Sequence, residues 1–446
     1  MLPVKFCNYN LDYQQRLGFL KLLVWVGQNV RGGKEELERR MESLYSPSAR
    51  KSSRPKKSGA AGPKISTTRS GRAPGTFDPE TMLQLEEIPS WQLGFSFQRL
   101  DRLVLWGEML GLVTPAGRLA EWSKPLITDQ PPFLPHSEEF PNPFLLSRRE
   151  RAYFLALLMY HDHVLLHLAS ALSQLSPGTR IETRAACIQV ITALCRTLDC
   201  ASGSNIQAVR TRQSLRDLLE RLAEAEHLAN KRALLGESER SRALDQMMAK
   251  STRNHLAEYH AICRFEQLTD LGLLVKENPL KPPSTREERD RTRKSWVWYT
   301  TDALKSFGPC VQSVDCDVER YLQKHWAKSC FAGQCAAREL EAGRDQEEIA
   351  ALLDAALPRA RRQLGAIQVH TWVFIAALDA IDHGLVLEFD QAYRLLDAMR
   401  HDQRYSGYIR QSGQETYLGR TALVMSGTMA DHISRYPVAT RGPSND

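Results

Sequence analysis

The chain has 446 residues, of which 42% are hydrophobic and 25% charged. That length and balance fit about two to four globular domains and exclude a chain disordered throughout. The formal net charge is +7, but residues 46–77 hold eight basic side chains (Arg50, Lys51, Arg54, Lys56, Lys57, Lys64, Arg69 and Arg72) and no acid. The remainder has 51 basic against 52 acidic residues, a net of −1, which excludes a uniformly basic surface and makes any attraction to nucleic acid local.

In chain order, residues 1–45 read as an N-terminal helical piece, with Leu20, Leu23 and Val24 on one face and Trp25 adding bulk. Lys21 interrupts the early apolar run and no small-residue cleavage site follows, so no signal peptide is expected. Nine cysteines, an odd number, then point to free thiols in a reducing, cytoplasmic compartment. Residues 46–76, rich in Ser, Gly, Pro, Lys and Arg, bury too little apolar surface to offset their ordering entropy. They are expected to be a basic disordered linker, serving as an arm along a phosphate backbone or as a solvated tether. Residues 77–124 return to a helical pattern and lead into a proline-rich connection over 125–143.

Residues 144–250 form the next helical region, opening on Ser147 and Glu150 in the spacing of a capping box. Leu215, Leu218, Leu219 and Leu222 continue it at helical spacing. Residues 251–310 carry the clearest local pattern, and 311–446 read as a C-terminal helical domain with Ile349, Leu352, Leu353 and Leu357 on one face. Strand-like stretches are few: 273–276, 296–300 and 385–389. The longest uncharged helical run, 363–378, is too short and too polar for a membrane span. The expected fold is mainly α and multi-helical, with few short strands and no solenoid-type repeat.

Two segments share a pattern. In the second, residues 255–269 carry Leu256, Ile262, Phe265 and Leu268 at helical spacing behind Thr252 as cap. Leu271-Gly272-Leu273 ends the helix where the chain leaves with positive φ, which suits Gly. A strand, a polar loop and the alternating Trp296-Val297-Trp298-Tyr299-Thr300 follow. The first segment, 96–122, has Ser96 as cap, then Phe97, Leu100, Leu103 and Val104, then Leu110-Gly111-Leu112, with almost no room for a hairpin loop. Both segments resemble winged-helix domains, in which a recognition helix enters the major groove and a β-hairpin wing follows it.

That resemblance implies DNA as partner. Arg253, His255 and Arg264 on the second helix and Arg99 and Arg102 on the first are the expected contacts. Arg286, Arg289, Arg291, Arg293 and Lys294 in the wing loop would position the protein on phosphates. Winged helices also serve protein–protein contact, so protein partners are expected as well.

The chemistry-bearing motifs are sparse. The sequence holds no Gly-Lys-Ser/Thr phosphate loop, no Gly-x-Ser-x-Gly elbow and no Cys-x-x-Cys. No cofactor, metal or catalytic residue is expected. His161, His163 and His167 form a small cluster with Asp162, and His163 and His167 at i, i+4 share a helix face. Ordinary packed histidines are the simpler reading. The segment from Arg253 to His260 resembles the Arg-polar-x-His motif of HEPN ribonucleases, which implies Arg253 and His260 acting on an RNA 2′-OH. Three functions follow from these signals. The first is a non-enzymatic DNA-binding or assembly subunit of a bacterial multi-protein system, such as phage defence or a mobile element. The second is a helical kleisin-like scaffold for a partner ATPase or nuclease. The third is the HEPN-type ribonuclease.

Overall fold

A computed structural model describes residues 5, 7, 17–45, 100–127, 146–200, 220, 256–277, 296–333, 337–361, 367–401, 409–412 and 421–424. Among them 66% are helical and 8% are in strands, the mainly helical architecture the sequence implies. Buried apolar side chains from Leu17 to Met399 form one contiguous cluster.

The first three helices among the described residues are α1 (Gly18–Gly27), α2 (Lys34–Tyr45) and α3 (Leu100–Met109). α1 and α3 cross closely, because a Cβ on Gly107 would lie 2.3 Å from Leu23 Cδ2. The chain leaves α3 through Gly111 at φ 66°, the positive φ expected of the first Leu-Gly-Leu turn. Val113 then bridges Leu119 antiparallel, and a 3-10 helix follows at Glu121–Leu126.

Helix α4 (Arg148–His161) begins with the predicted box. Ser147 Oγ accepts from Glu150 N at 3.2 Å, and Ser147 N donates back to Glu150 Oε2 at 2.8 Å. Two orphan amides are thus satisfied, a cap of about 1 kcal/mol. α4 bends by 112° at Asp162 into α5 (His163–Leu172). α4 is buried from Ala152 to Tyr160, and α5 at all but one of its ten residues. No single described helix is long and apolar enough to cross a membrane; by length and composition only, this bent pair passes the test together.

β1 (Arg180–Glu182) leads straight into α6 (Thr183–Cys200). α7 (Leu256–Asp270) ends at Gly272, φ 77°, and feeds β2 (Leu274–Lys276), which pairs antiparallel with β3 (Val297–Thr300). This is the pairing expected from the alternation of 296–300, with Val275 opposite Tyr299. β1, a three-residue strand too short to be expected from its residues, pairs with the other edge of β3, so the sheet order is β1-β3-β2. Thr301 caps α8 (Asp302–Gln312), its hydroxyl accepting from Leu304 N at 3.1 Å.

α9 (Val318–Lys324), α10 (Trp326–Ser329) and β4 (Arg338–Glu339) precede α11 (Gln346–Ala360). Then come β5 (Ile367–Gln368), α12 (Val369–Asp382), β6 (Leu385–Val386), α13 (Phe389–His401), β7 (Ile409–Ser412) and β8 (Thr421–Val424). β6 falls within the strand expected at 385–389 and runs parallel to β4, but Phe389 already starts α13. β5, β8 and β7 form an antiparallel sheet in that order. α12 is wholly interior from Val369 to Ile381. Its Trp372 is fully buried with Nε1 donating to Leu353 O at 2.6 Å, an anchor whose removal costs about 3–5 kcal/mol. Asp379 on α12 ion-pairs with both Arg149 and Arg359, tying α4, α11 and α12 together.

Candidate nucleic-acid interface

The candidate site is built on α5, β1, α6, α7, β2 and β3. The antiparallel β2–β3 pair holds the two ends of residues 277–296, the stretch whose sequence carries Arg286, Arg289, Arg291, Arg293 and Lys294. Those five residues lie outside the described residues, as do Arg99, Arg253 and His255. Arg102 belongs to α3, and its side chain is also outside them.

At the base of the loop the geometry is defined. Lys276 Nζ pairs with Glu266 Oε1 at 2.7 Å and sits 3.5 Å from the Trp296 ring centroid. Tyr299 donates to Glu277 at 3.0 Å. Lys276 therefore anchors the loop against α7, with its charge already matched. Val275, on the edge strand β2, is 55% exposed.

α7 itself differs from the expectation. Residues 260–268 are all buried, on every side of the helix, so that stretch presents no face to a groove. Arg264, expected at DNA, is fully buried and belongs to an internal network. Its Nε lies 3.0 Å from Asp162 Oδ2, and Nη2 donates to Asp162 Oδ1 at 3.0 Å and to Cys7 O at 3.1 Å. Nη1 donates to His260 O at 3.1 Å and lies 2.9 Å from His260 Nδ1, which accepts when the imidazole carries its proton on Nε2. A buried guanidinium needs this many acceptors to offset its desolvation. The correction is physical: the carboxylate that pairs with Arg264 comes from the α4–α5 bend, 102 residues away in sequence.

The same network takes in His260, one of the two residues of the ribonuclease reading; the other, Arg253, lies outside the described residues. His260 is 2% exposed. Burial, then the Arg264 charge, push its pKa well below the ordinary 6.5, so at neutral pH it is a neutral acceptor shut off from solvent. His163 is buried and His161 partly so, and desolvation lowers each to about 3. His167 falls to about 4 for the same first cause. His161 packs edge-on against Trp122 with ring centroids 5.8 Å apart. Among the described residues no group of three or more His, Cys, Asp or Glu side chains could hold a metal ion.

A second arrangement of this kind was missed by sequence reasoning. Among the described residues α5, β1, α6, α7, β2 and β3 follow the order helix, strand, helix, helix, strand, strand; α11, β5, α12, α13, β7 and β8 follow it too, except that β6 stands between α12 and α13. In both sheets the first strand pairs with the third and the third with the second. α13 differs from α7 in being two-faced. Phe389, Ala392, Leu395, Leu396 and Met399 are buried, while Arg394 and His401 are exposed. Comparison of the chain with family models, with curated proteins and with solved structures finds no match.

Proposed function

We propose that the protein is a non-enzymatic DNA-binding or assembly subunit of a multi-protein system, built on winged-helix-like units. The observation that carries this reading is the β1-β3-β2 sheet behind α7, with β2 and β3 bracketing residues 277–296. That strand order behind a helix is like that of a winged helix, and in this reading the bracketed residues would be its wing. Because α7 is enclosed over 260–268, the DNA contact of this unit falls on the wing.

Residues 286–294 carry five basic and three acidic side chains, a net of +2. The basic end, Arg291 to Lys294, adjoins β3. Contacts of this kind bind phosphate and carry no sequence information. The test is the triple substitution of Arg291, Arg293 and Lys294 by Ala in the full chain. If three phosphates are neutralised there, the dependence of log K on log salt flattens by about two to three units. Stability changes little, since exposed charges contribute about 0–1 kcal/mol each. An unchanged salt slope in the folded variant removes the wing from the interface. The enclosed helix α7 would then favour the assembly role, with the unit serving contact between proteins.

A further inference from the structure

We propose that Arg148 and Arg151 hold a phosphate dianion beside the α7–β2 turn. The site lies apart from residues 277–296 and does not rest on the DNA-binding reading above. Two guanidiniums kept without a counter-charge carry it.

α4 opens with three arginines whose charges are handled differently. Arg149 pairs with Asp379 and, at 3.1 Å, with Asp382. Arg148 and Arg151, at i, i+3, are neighbours on the helix surface. Among the described residues no carboxylate lies within ion-pair distance of either. The acid between them in sequence, Glu150, is already committed: it accepts from Ser147 N at 2.8 Å and pairs with Lys21 at 3.0 Å.

Arg151 is the costlier of the two to keep charged. It is half-buried, and its Nε is buried with no hydrogen-bond partner. A Cβ on Gly272 would lie 3.1 Å from its Nη1, so the fork rests against the turn between α7 and β2. Burial and then the Arg148 charge lower its pKa; both effects work against the cation. Arg264 shows what a guanidinium buried for structure is given in this protein: the Asp162 carboxylate, two carbonyls and an imidazole nitrogen. Arg151 is given none of these. Arg148 is exposed, and its Cζ lies over the Phe331 ring, 5.4 Å from the centroid, which defines where its charge sits.

Two positive charges held side by side match a doubly charged anion, and the guanidinium fork donates paired bonds to phosphate oxygens. A phosphate monoester carries about two charges at neutral pH, and a phosphodiester in a nucleic-acid backbone carries one. The end of the helix is not itself the site. Its amides are occupied, Glu150 N by the Ser147 hydroxyl and Arg151 N by Ser147 O, so side chains meet the anion.

The experiment is thermal melting and calorimetric titration of the full chain with inorganic phosphate, against sodium chloride at matched ionic strength. Wild type, Arg148→Gln and Arg151→Met are compared. We expect saturable binding and a rise in melting temperature that chloride does not reproduce. Each variant should bind phosphate about tenfold or more weakly. Arg151→Met keeps an apolar stem and removes the uncompensated charge, so in phosphate-free buffer it should melt at the wild-type temperature or above it. A clearly lower melting temperature there would make Arg151 a structural residue and overturns the proposal. So does a phosphate response no larger than that of chloride, or one that both variants keep in full. A short duplex with and without a 5′-phosphate separates the two sources of the anion. Binding that needs the 5′-phosphate, and is lost in both variants, assigns the anion to a nucleic-acid end. Binding of inorganic phosphate alone assigns a free phosphate. None of these outcomes bears on residues 277–296, whose own test is the salt slope of duplex binding.

Discussion

Substituting Asp162 by Ala isolates the group that holds Arg264 inside the molecule. Both side chains are fully buried, so no solvent screens the pair and none replaces the lost carboxylate. Arg264 loses the Nε contact and the Nη2 bond at 3.0 Å, and keeps the neutral carbonyls of Cys7 and His260 and the His260 ring. Removing one partner of such a pair leaves an uncompensated charge, at a cost of about 3–5 kcal/mol. For a cooperative unit of some 250 residues, 1 kcal/mol corresponds to about 2 °C. The midpoint should therefore fall by about 6–10 °C in thermal unfolding followed by circular dichroism. Adding Arg264→Met to Asp162→Ala removes the stranded charge and should recover at least half of that loss. A single-variant loss below about 1 kcal/mol, or a weakening of DNA binding by Arg264→Ala with stability intact, would refute the assignment of Arg264 to the interior.

Acid should destabilise the protein early. The folded pKa values of His161 and His163, about 3, lie below the ordinary 6.5, so the unfolded chain takes up protons first as pH falls. Their contribution is full above pH 6.5 and is lost from there down to about 3; one unit below 6.5 each has lost about 1.4 kcal/mol. Urea unfolding at pH 7 and pH 5.5 checks this, and an equal or higher midpoint at pH 5.5 would count against it. Two glycines at similar φ should respond differently to alanine. Gly117 (φ 75°) has Lys34 Cα and N at 2.4 and 2.5 Å from an added Cβ, whereas Gly384 (φ 74°) has open space. Gly117→Ala should cost about 2–4 kcal/mol and Gly384→Ala about 1 kcal/mol. Equal losses in urea unfolding would contradict the packing of the Gly117 turn against α2.

Local rules were legible where local physics decides. Ser147 and Glu150 announce a helix start because both halves of the box lie within four residues. Gly111 and Gly272 announce helix exits because only a residue without Cβ takes their φ cheaply. The β2–β3 pair was legible through the alternation of Trp296 to Thr300. Arg264 was not. Its helix looks amphipathic in isolation, and only the arrival of Cys7 and Asp162 from elsewhere in the chain turns the polar side inward. The second sheet left no trace either. β5 has two residues, too few to alternate, and β7 and β8 gain their meaning only by pairing with each other and with β5. The histidine cluster fell between these cases: the spacing of His163 and His167 was visible, but their burial was not.

The most direct test of the DNA-binding account is the salt dependence of duplex binding by the full-length protein, measured as anisotropy of a labelled duplex. With three phosphates neutralised by the wing, log K should fall against log salt with a slope of about −2.7 or steeper. Absence of binding at low salt, or binding whose slope stays near zero, would contradict the account.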